Sequence, residues 1–305
     1  MAHSGRSLMN MIPPRAVFAA VDFSDASRVA LAFAGRLATH TGADLHVLHA
    51  DDPLLEAAAR LRGVDLAHEA HDELAAFTTA AIGPAARPPH HHVVTGPAVE
   101  VICTIAERES CEVIVLGARG MSGASRMMFG STTEGVLRRA DRSVFVVPDD
   151  WMPPRPEAPG LAGMGPIVAA VDFSAPAFAA ARAAAALATV LDTTVEAVHV
   201  VPPLPVPQRW SAYAESAVQR RVDESASELA HVLRGAGHDA PMPLRVVTGR
   251  VAEHLAEAVE PSPRRHPILV MGRRSYGERG GAPGSTAYRV LTLARVPVLM
   301  YLQKP

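Results

Sequence analysis

The sequence predicts an α/β protein built from two doubly wound, five-stranded parallel sheets, each with the strand order 3-2-1-4-5. The segment 17–24, Val-Phe-Ala-Ala-Val-Asp-Phe-Ser, returns at 167–174 as Ile-Val-Ala-Ala-Val-Asp-Phe-Ser. Within each copy, short apolar runs alternate with longer segments of helical spacing, which is typical of parallel strands joined by right-handed helical crossovers. The length of 305 residues also suits two domains.

The duplication extends along the whole of each copy. Val94-Thr95-Gly96 recurs at 247–249, and Gly130-Ser131-Thr132 recurs at 284–286. Landmarks that keep their order at a nearly constant, domain-sized spacing indicate tandem domains rather than a solenoid. Several prolines between the copies rule out a continuous helix and favour a semi-stiff linker. We therefore predict a first domain at 1–150, a linker at 151–163 and a second domain at 164–305.

The elements of the first copy can be placed in order. Strands are predicted near 16–22, 44–50, 91–95, 112–117 and 143–147. The apolar runs at 113–116 and 144–147 lack polar alternation, as expected of strands that helices cover on both faces. The first helix begins after Ser24, whose hydroxyl suits an N-cap, and stops at Gly42. An apolar residue at every fourth position gives this helix a buried face: Val29, Phe33 and Leu37.

Composition bounds the classes of function. The net charge of −2 gives no electrostatic basis for binding nucleic acid or an anionic membrane. No apolar run approaches the roughly 20 residues of a membrane-spanning helix, and the first residues lack the apolar core of a signal peptide. We therefore expect a cytoplasmic protein. In that compartment Cys103 and Cys111 are expected to be thiols rather than a disulfide.

The segment 117–132 is the strongest functional signal. Its spacing is Gly117, two residues, Gly120, nine residues and Gly130, followed by Ser131-Thr132, and it joins an apolar strand to a helix. Glycines let the backbone approach a phosphate, and the start of a helix adds positive potential. The segment is neither a P-loop nor a dinucleotide fingerprint, because their residues and spacing are missing. A glycine-rich loop without a ligand is the alternative.

A second feature points to the same place. Asp22 ends the first predicted strand and Gly117 ends the fourth, and in the order 3-2-1-4-5 the winding direction reverses between them. Open α/β sheets bind ligands in the crevice at such a reversal. A carboxylate there suits ribose hydroxyls or an adenine edge, although Asp22 could instead cap the helix alongside Ser24. Arg119 is a candidate for neutralising a phosphate, with an exposed loop arginine as the alternative.

The second copy departs from this pattern. It retains Asp172 but reads Gly272-Arg273-Arg274-Ser275, so a serine replaces the second glycine, and its loop is one residue shorter. A side chain there obstructs the backbone approach if the turn needs a positive φ. We expect the second copy to bind nucleotide more weakly than the first. Three later glycines are candidates for shifting the turn: Gly277, Gly280 and Gly281.

Other polar clusters receive structural interpretations. His90-His91-His92 suggests a metal site, but consecutive strand residues point to opposite faces, so solvated loop histidines are the preferred interpretation. His49 and His199 occupy equivalent strand ends and are expected to be structural hydrogen-bonding residues. Three methionines of the long loop are expected to pack beneath it or to line a partner surface: Met121, Met127 and Met128.

The glycine spacing resembles the ATP-binding signature of the universal stress protein family. The resemblance runs from about Ala16 to Leu302 and includes the Val-Asp-x-Ser start of each copy. It implies a doubly wound fold, ATP bound in the crevice, association through the last strand and no well-defined catalytic chemistry. It also implies that the backbone at Leu48–Ala50 contacts the adenine edge. We expect ATP with Mg²⁺ as the cofactor and at most slow ATP hydrolysis.

These features together predict an ATP-binding regulator of a stress response, with a homodimer and an unidentified regulatory protein as partners. The alternatives are a weak ATP hydrolase or nucleotidyl-transferring enzyme, and a nucleotide-free interaction module. We expect the last strands, near 143–147 and 297–302, to meet in an internal pseudo-dimer, because uncovered apolar edges favour pairing. The candidate nucleotide-binding residues are Asp22, Ser24, Leu48, His49, Ala50, Gly117, Arg119, Gly120, Gly130, Ser131 and Thr132 in the first copy, and Asp172, Gly272, Gly284, Ser285 and Thr286 in the second.

Overall fold

The computed structural model divides the chain into two compact units. Among the described residues, the first unit extends to Gly163, and the second begins at Met164. Each unit contains a parallel sheet with helices in its connections. The structure describes residues 13–63, 65–84, 87–120, 130–205, 207–235, 242–273 and 284–303.

Five parallel strands form the sheet of the first unit: β1 (Ala16–Val21), β2 (Asp44–Asp51), β3 (His90–Thr95), β4 (Val113–Gly117) and β5 (Ser143–Val147). Their order is β3-β2-β1-β4-β5, which confirms the predicted topology. Every predicted strand agrees with the observed one to within one residue at each end. The centre of this sheet is fully buried, since Phe18 and Ile114 have no exposed surface.

The helices of the first unit are α1 (Asp25–Thr41), α2 (Pro53–Arg60), α3 (Leu66–Ile82), α4 (Ala98–Arg108) and α5 (Ser131–Arg139). Ser24 caps α1, and Gly42 ends it in a left-handed conformation with φ of 72°, as predicted. Two helices separate β2 from β3, where the sequence pattern predicted one. The reason is local, because Asp52 caps α2 and Asp65 caps α3, with Gly63 at φ of 71° between them.

The second unit repeats this arrangement. Its parallel strands are β6 (Ile167–Ala170), β7 (Val195–Val201), β8 (Leu244–Thr248), β9 (Ile268–Gly272) and β10 (Val298–Tyr301), in the order β8-β7-β6-β9-β10. Its helices are α6 (Ala175–Val190), α7 (Ser211–Gly235), α8 (Val251–Ala258) and α9 (Ser285–Leu293). One long helix, α7, replaces the pair α2 and α3, so the two units differ most in this connection.

The proline-rich segment 151–163, expected to be a linker, lies against α1 of the first unit. Trp151 is 7% exposed, and its ring meets that of Phe33 edge-on, with 5.2 Å between the ring centroids. Leu161 is buried as well. The guanidinium of Arg36 donates hydrogen bonds to four carbonyl oxygens of the segment, those of Arg155, Pro156, Ala158 and Gly160. This segment therefore contributes to the packing of the first unit.

Two expectations from composition bear on the fold. In the described part of the chain, no helix combines the length and the apolar character needed to cross a membrane. Cys103 lies half-buried on α4 and Cys111 is buried just before β4, and the structure keeps both as thiols.

Candidate functional site

A crevice of about 240 Å³ opens in the first unit where β1, β2 and β4 end and α5 begins. It lies at the reversal of winding direction, which is where open α/β sheets bind ligands. Most candidate residues of the first copy line it: Asp22, Leu48, His49, Ala50, Gly117, Arg119, Gly120, Gly130, Ser131 and Thr132. Ser24 does not line the crevice, but it donates hydrogen bonds to Asp22, which does.

The two carboxylate oxygens of Asp22 have different surroundings. Oδ1 accepts hydrogen bonds from the backbone N–H of Ser24 at 3.2 Å and from its hydroxyl at 2.5 Å. Oδ2 lies beside Gly120, since a β-carbon added to that glycine would be 2.6 Å from it. Asp22 therefore supports the start of α1 through one oxygen while the other lies beside the glycine loop. The helix-cap and crevice interpretations are compatible with each other.

His49 fixes the backbone immediately before Asp22. Its Nδ1 donates a hydrogen bond to the carbonyl oxygen of Val21 at 3.0 Å, and its ring lies 4.3 Å from that of Phe23, centroid to centroid. The second unit makes the same connection, from Nδ1 of His199 to the carbonyl oxygen of Val171 at 2.8 Å. These contacts give both histidines the structural hydrogen bonds expected from the sequence.

Gly117 and Gly120 are required for space rather than for an unusual backbone, whereas a β-carbon at Gly130 would meet nothing closer than 3.5 Å. Gly117, Gly120 and Gly130 are absent from the positive-φ glycines of the described chain. The sequence left open a positive φ at the second glycine of the loop, but Gly120 does not have one. A β-carbon at Gly117 would lie 3.0 Å from the carbonyl oxygen of Ala26. Removing the β-carbons lets the end of β4 pass close to both α1 and Asp22.

The start of α5 suits an anion. Gly130 occupies the N-cap and has no side chain with which to cap the first amide groups of the helix. The Thr133 hydroxyl donates to the carbonyl oxygen of Gly117 at 2.8 Å, which ties the helix to the end of β4. Ser131 is exposed and Thr132 is half-buried, so both hydroxyls border the crevice. Amide groups and hydroxyls at a helix start favour negative ligands.

Arg119 lines the crevice, but it already has a carboxylate partner. Its Nη1 lies 2.6 Å from Oδ2 of Asp149, just after β5. Both side chains are partly exposed, at 27% and 35%. This ion pair orients the guanidinium and offsets part of its charge, which makes Arg119 a weaker candidate for neutralising a phosphate than its place in the loop indicates.

Several lining residues were not identified from the sequence. Ser27, Thr133, Ala98 and Ile102 all line the crevice. Helical spacing carried a signal for two of them, because Ala98 and Ile102 are four residues apart after the Thr95-Gly96 landmark. The three loop methionines, Met121, Met127 and Met128, lie outside the described residues.

The corresponding residues of the second unit form a tighter arrangement. Oδ1 of Asp172 accepts from the N–H of Ser174 at 2.8 Å. A β-carbon at Gly272 would lie only 2.3 Å from the carbonyl oxygen of Pro176, so the helix start comes closer than in the first unit. Gly284 caps α9, which begins with Ser285-Thr286. The loop residues Ser275, Gly277, Gly280 and Gly281 lie outside the described residues.

The three consecutive histidines belong to β3 rather than to a solvated loop, which corrects the sequence interpretation. The side chains of consecutive histidines point to opposite faces of the sheet, as expected. His91 faces His71 of α3, with ring centroids 6.0 Å apart, whereas His90 and His92 stack against His46 of β2. Only His90 of the three is exposed.

Comparison with known proteins identifies the family. The universal stress protein family model matches residues 14–148 and 164–301. Universal stress protein MJ0577 of Methanocaldococcus jannaschii is 34% identical over 55 residues, which are 18% of this chain and 34% of that protein. The match thus spans about a third of this curated relative.

Solved structures agree on the fold. A universal stress protein from Archaeoglobus fulgidus is 20% identical, with a TM-score of 0.64 over 95% of this chain and 99% of that one. A putative universal stress protein from Pseudomonas aeruginosa UCBPP-PA14 is 18% identical, with a TM-score of 0.56 over 95% and 94%. At these identities the likeness concerns the fold alone. Because the family model covers most of the sequence in two stretches, this chain belongs to the universal stress protein family and carries its domain twice.

Proposed function

We propose that the first unit binds an adenine nucleotide and that the protein is a nucleotide-dependent regulator of a stress response. One observation carries the proposal. A single crevice gathers Asp22, the end of β2, the glycines after β4 and the start of α5, which are distant from one another in sequence. Membership of the family supports the same assignment.

The nucleoside would lie between Asp22 and the end of β2. A carboxylate accepts hydrogen bonds from ribose hydroxyls, and the backbone at Leu48–Ala50 offers groups to the adenine edge. The fit is supported by Gly120, since the missing β-carbon leaves room beside Oδ2 of Asp22. His49 holds the adjoining backbone of Val21 and so keeps this part of the crevice in place.

The phosphates would lie at the start of α5. Its first amide groups and the hydroxyls of Ser131 and Thr132 supply donors and positive potential. Ser131 and Thr132 would also hold Mg²⁺ through their hydroxyl oxygens, because this ion prefers oxygen ligands, and it would offset phosphate charge. With its charge offset by Asp149, Arg119 would contribute orientation more than charge.

Calorimetry on the full chain tests this proposal. We expect saturable binding of ATP that strengthens with Mg²⁺, and weaker binding of GTP, because the β2 backbone would contact the adenine edge. Mass spectrometry of the denatured protein should also detect co-purified adenine nucleotide. An absence of saturable ATP binding would contradict the proposal. Turnover of ATP at an ordinary enzymatic rate would favour a hydrolase over a regulator.

We also propose that the protein is cytoplasmic, forms a homodimer and acts through a regulatory protein partner.

The domain limits at 1–150, 151–163 and 164–305 stay a prediction, as does the association of the two last strands. Apolar edge strands favour pairing, and β5 and β10 each stand last in the strand order of their own unit. Sedimentation equilibrium of the purified chain would give its mass in solution and so test the dimer.

A further inference from the structure

A group of metal-binding side chains lies in the first unit outside the nucleotide crevice. It consists of His46 on β2, His92 on β3 and Glu109, which follows the last residue of α4. One ligand atom from each residue lies within 4.8 Å of the others. The closest two are Nδ1 of His46 and Nε2 of His92, 3.1 Å apart.

The sheet itself brings these residues together. In the parallel register of β2 and β3, His46 pairs with His90 and Leu48 pairs with His92. Aligned residues share a face, as do residues two positions apart, so His46 lies opposite His90 and diagonal to His92 on one side of the sheet. The ring planes of His46 and His92 differ by only 13°. The end of α4 brings Glu109 to the same group.

The distances suit a small transition-metal ion. Zinc binds imidazole nitrogen at about 2.0–2.1 Å, so two nitrogens of a tetrahedral site lie about 3.3 Å apart. The 3.1 Å between the two imidazoles is close to that separation. The Glu109 carboxylate, whose side chain is 26% exposed, now pairs with Nε of Arg108 at 2.8 Å. Rotation of this partly exposed side chain would bring its carboxylate to the ion as the third ligand.

The chemistry of the ligands narrows the choice of ion. Imidazole and carboxylate together suit zinc and its neighbours in the first transition series, whereas Mg²⁺ and Ca²⁺ prefer oxygen ligands alone. A carboxylate beside two imidazoles also offsets part of the charge of a divalent cation.

We propose that His46, His92 and Glu109 bind a divalent first-row transition cation, for which Zn²⁺ is the probe. Three protein ligands leave a coordination position open to water, so the ion is exchangeable rather than permanently enclosed. The ion would link β2, β3 and α4. It would therefore stabilise the folded chain increasingly as its concentration rises.

The test uses the untagged full chain after chelator treatment and dialysis. Calorimetric titration with Zn²⁺ should give one tighter equivalent above the weak background of the other histidines. Co²⁺ should produce the visible absorption bands of a tetrahedral or five-coordinate site. His92→Gln and Glu109→Gln should each weaken the tight equivalent at least tenfold, in line with the loss of a ligand.

His91→Gln is the matched control, because His91 belongs to the same strand but faces α3. It should retain the wild-type affinity for Zn²⁺. Circular dichroism checks the fold of every variant, and Glu109→Gln provides a variant that leaves the strands unchanged. The proposal fails if no tight equivalent exists, if Glu109→Gln binds Zn²⁺ as the wild type does, or if His91→Gln loses as much affinity as His92→Gln. If no tight equivalent exists, His46 and His92 share a hydrogen bond and nothing more.

Discussion

A β-carbon added to Gly120 would lie 2.6 Å from Oδ2 of Asp22, closer than β-carbons approach oxygen atoms in folded proteins. The two residues are therefore matched in space although almost a hundred positions separate them in sequence. The absence of a side chain at one position sets where the carboxylate of the other can lie. This relationship links the glycine loop after β4 to the carboxyl end of β1.

Gly120→Ala should accordingly displace the Asp22 carboxylate and weaken ATP binding at least tenfold, with little change in melting temperature because the loop lies outside the core. Gly120→Val should abolish binding. Gly284→Ala is the control, since a β-carbon there meets nothing within 4 Å. Calorimetry with ATP measures the effect. Unchanged affinity in Gly120→Ala would show that this contact does not shape the nucleotide site.

The two aspartates allow a comparison of the two units in one chain. Asp22→Asn keeps an oxygen for Ser24 but removes the negative charge, and it should lower the affinity for ATP about tenfold or more. Asp172→Asn should change it little, since the second unit retains the aspartate but has Ser275 and a shorter loop. Calorimetric titration of both variants decides the matter. An equal or larger loss in Asp172→Asn would contradict tighter binding by the first unit.

Arg36→Ala should destabilise the first unit by about 1–3 kcal/mol, because four carbonyl oxygens of segment 151–163 lose a charged donor. Chemical denaturation measures this loss. Chymotrypsin should also cleave faster after Trp151, which the segment keeps 7% exposed. Arg62→Ala, which removes the same charge from an exposed position after α2, should have neither effect. If the two variants behave alike, the Arg36 contacts contribute nothing measurable.

Stability should fall as the pH drops below about 6.5. Burial lowers the pKa of His46, His91 and His92, and nearby histidines lower it further. The carboxylate of Glu109 opposes this shift of the pKa at His46 and His92, and that of Asp44 opposes it at His46. Between the ordinary histidine pKa and the lowered values, the unfolded chain binds protons that the folded chain does not. The free energy of unfolding therefore rises with pH through this window and is fully regained above about 6.5.

Urea denaturation at pH 5.5 and 7.5 checks this expectation, with the chain free of added metal. His92→Gln should show a smaller difference between the two pH values than the wild type. His68→Gln, which replaces a histidine with a 75% exposed side chain, should leave the difference unchanged. A wild-type free energy of unfolding that stays constant or rises on acidification would contradict the lowered histidine pKa values.

Cys111 should resist alkylation in the native protein. Its side chain has no exposed surface, and burial together with Glu112 raises its pKa to about 12, so the reactive thiolate is scarce at pH 8. Cys103, which is half-buried on α4, should react with iodoacetamide first. Mass spectrometry of the digested protein compares the two rates, and unfolding in guanidinium should remove the difference. Equal rates in the native protein would show that the thiol of Cys111 is accessible.

The sequence predicted the buried central strands most directly and missed an exposed helix. Strands β1, β4 and β5 stood out because unbroken apolar runs mark positions covered on both faces. Helix α2 did not, since it buries none of its residues and leaves Leu54 81% exposed. Capping by Asp52 and Asp65 was the local signal for two helices in this connection.

The same contrast applies to the site. Asp22 and the glycines could be placed from a strand order and a spacing, because parallel strands end at a shared edge. The pair Arg119–Asp149 could not, since it depends on how a loop turns after β5. The contact between His46 and His92 depends on the register of two strands, and the sequence around either residue does not indicate that register. The packing of segment 151–163 likewise depends on contacts between distant residues, such as the hydrogen bonds from Arg36 to the carbonyl oxygens of Ala158 and Gly160.

The Asp22 carboxylate also makes the crevice selective in what it can accept. The carboxylate places negative charge on one side of the crevice, whereas the start of α5 gives the other side positive potential. A ligand that suits both sides would bring neutral hydroxyls to Asp22 and anionic groups to α5. If the crevice holds a nucleotide as proposed, one phosphorylated on its 2′- or 3′-hydroxyl should bind more weakly, because it would carry a second anion toward Asp22. The proposed site would thus discriminate between nucleotides that differ only in where their phosphates are attached.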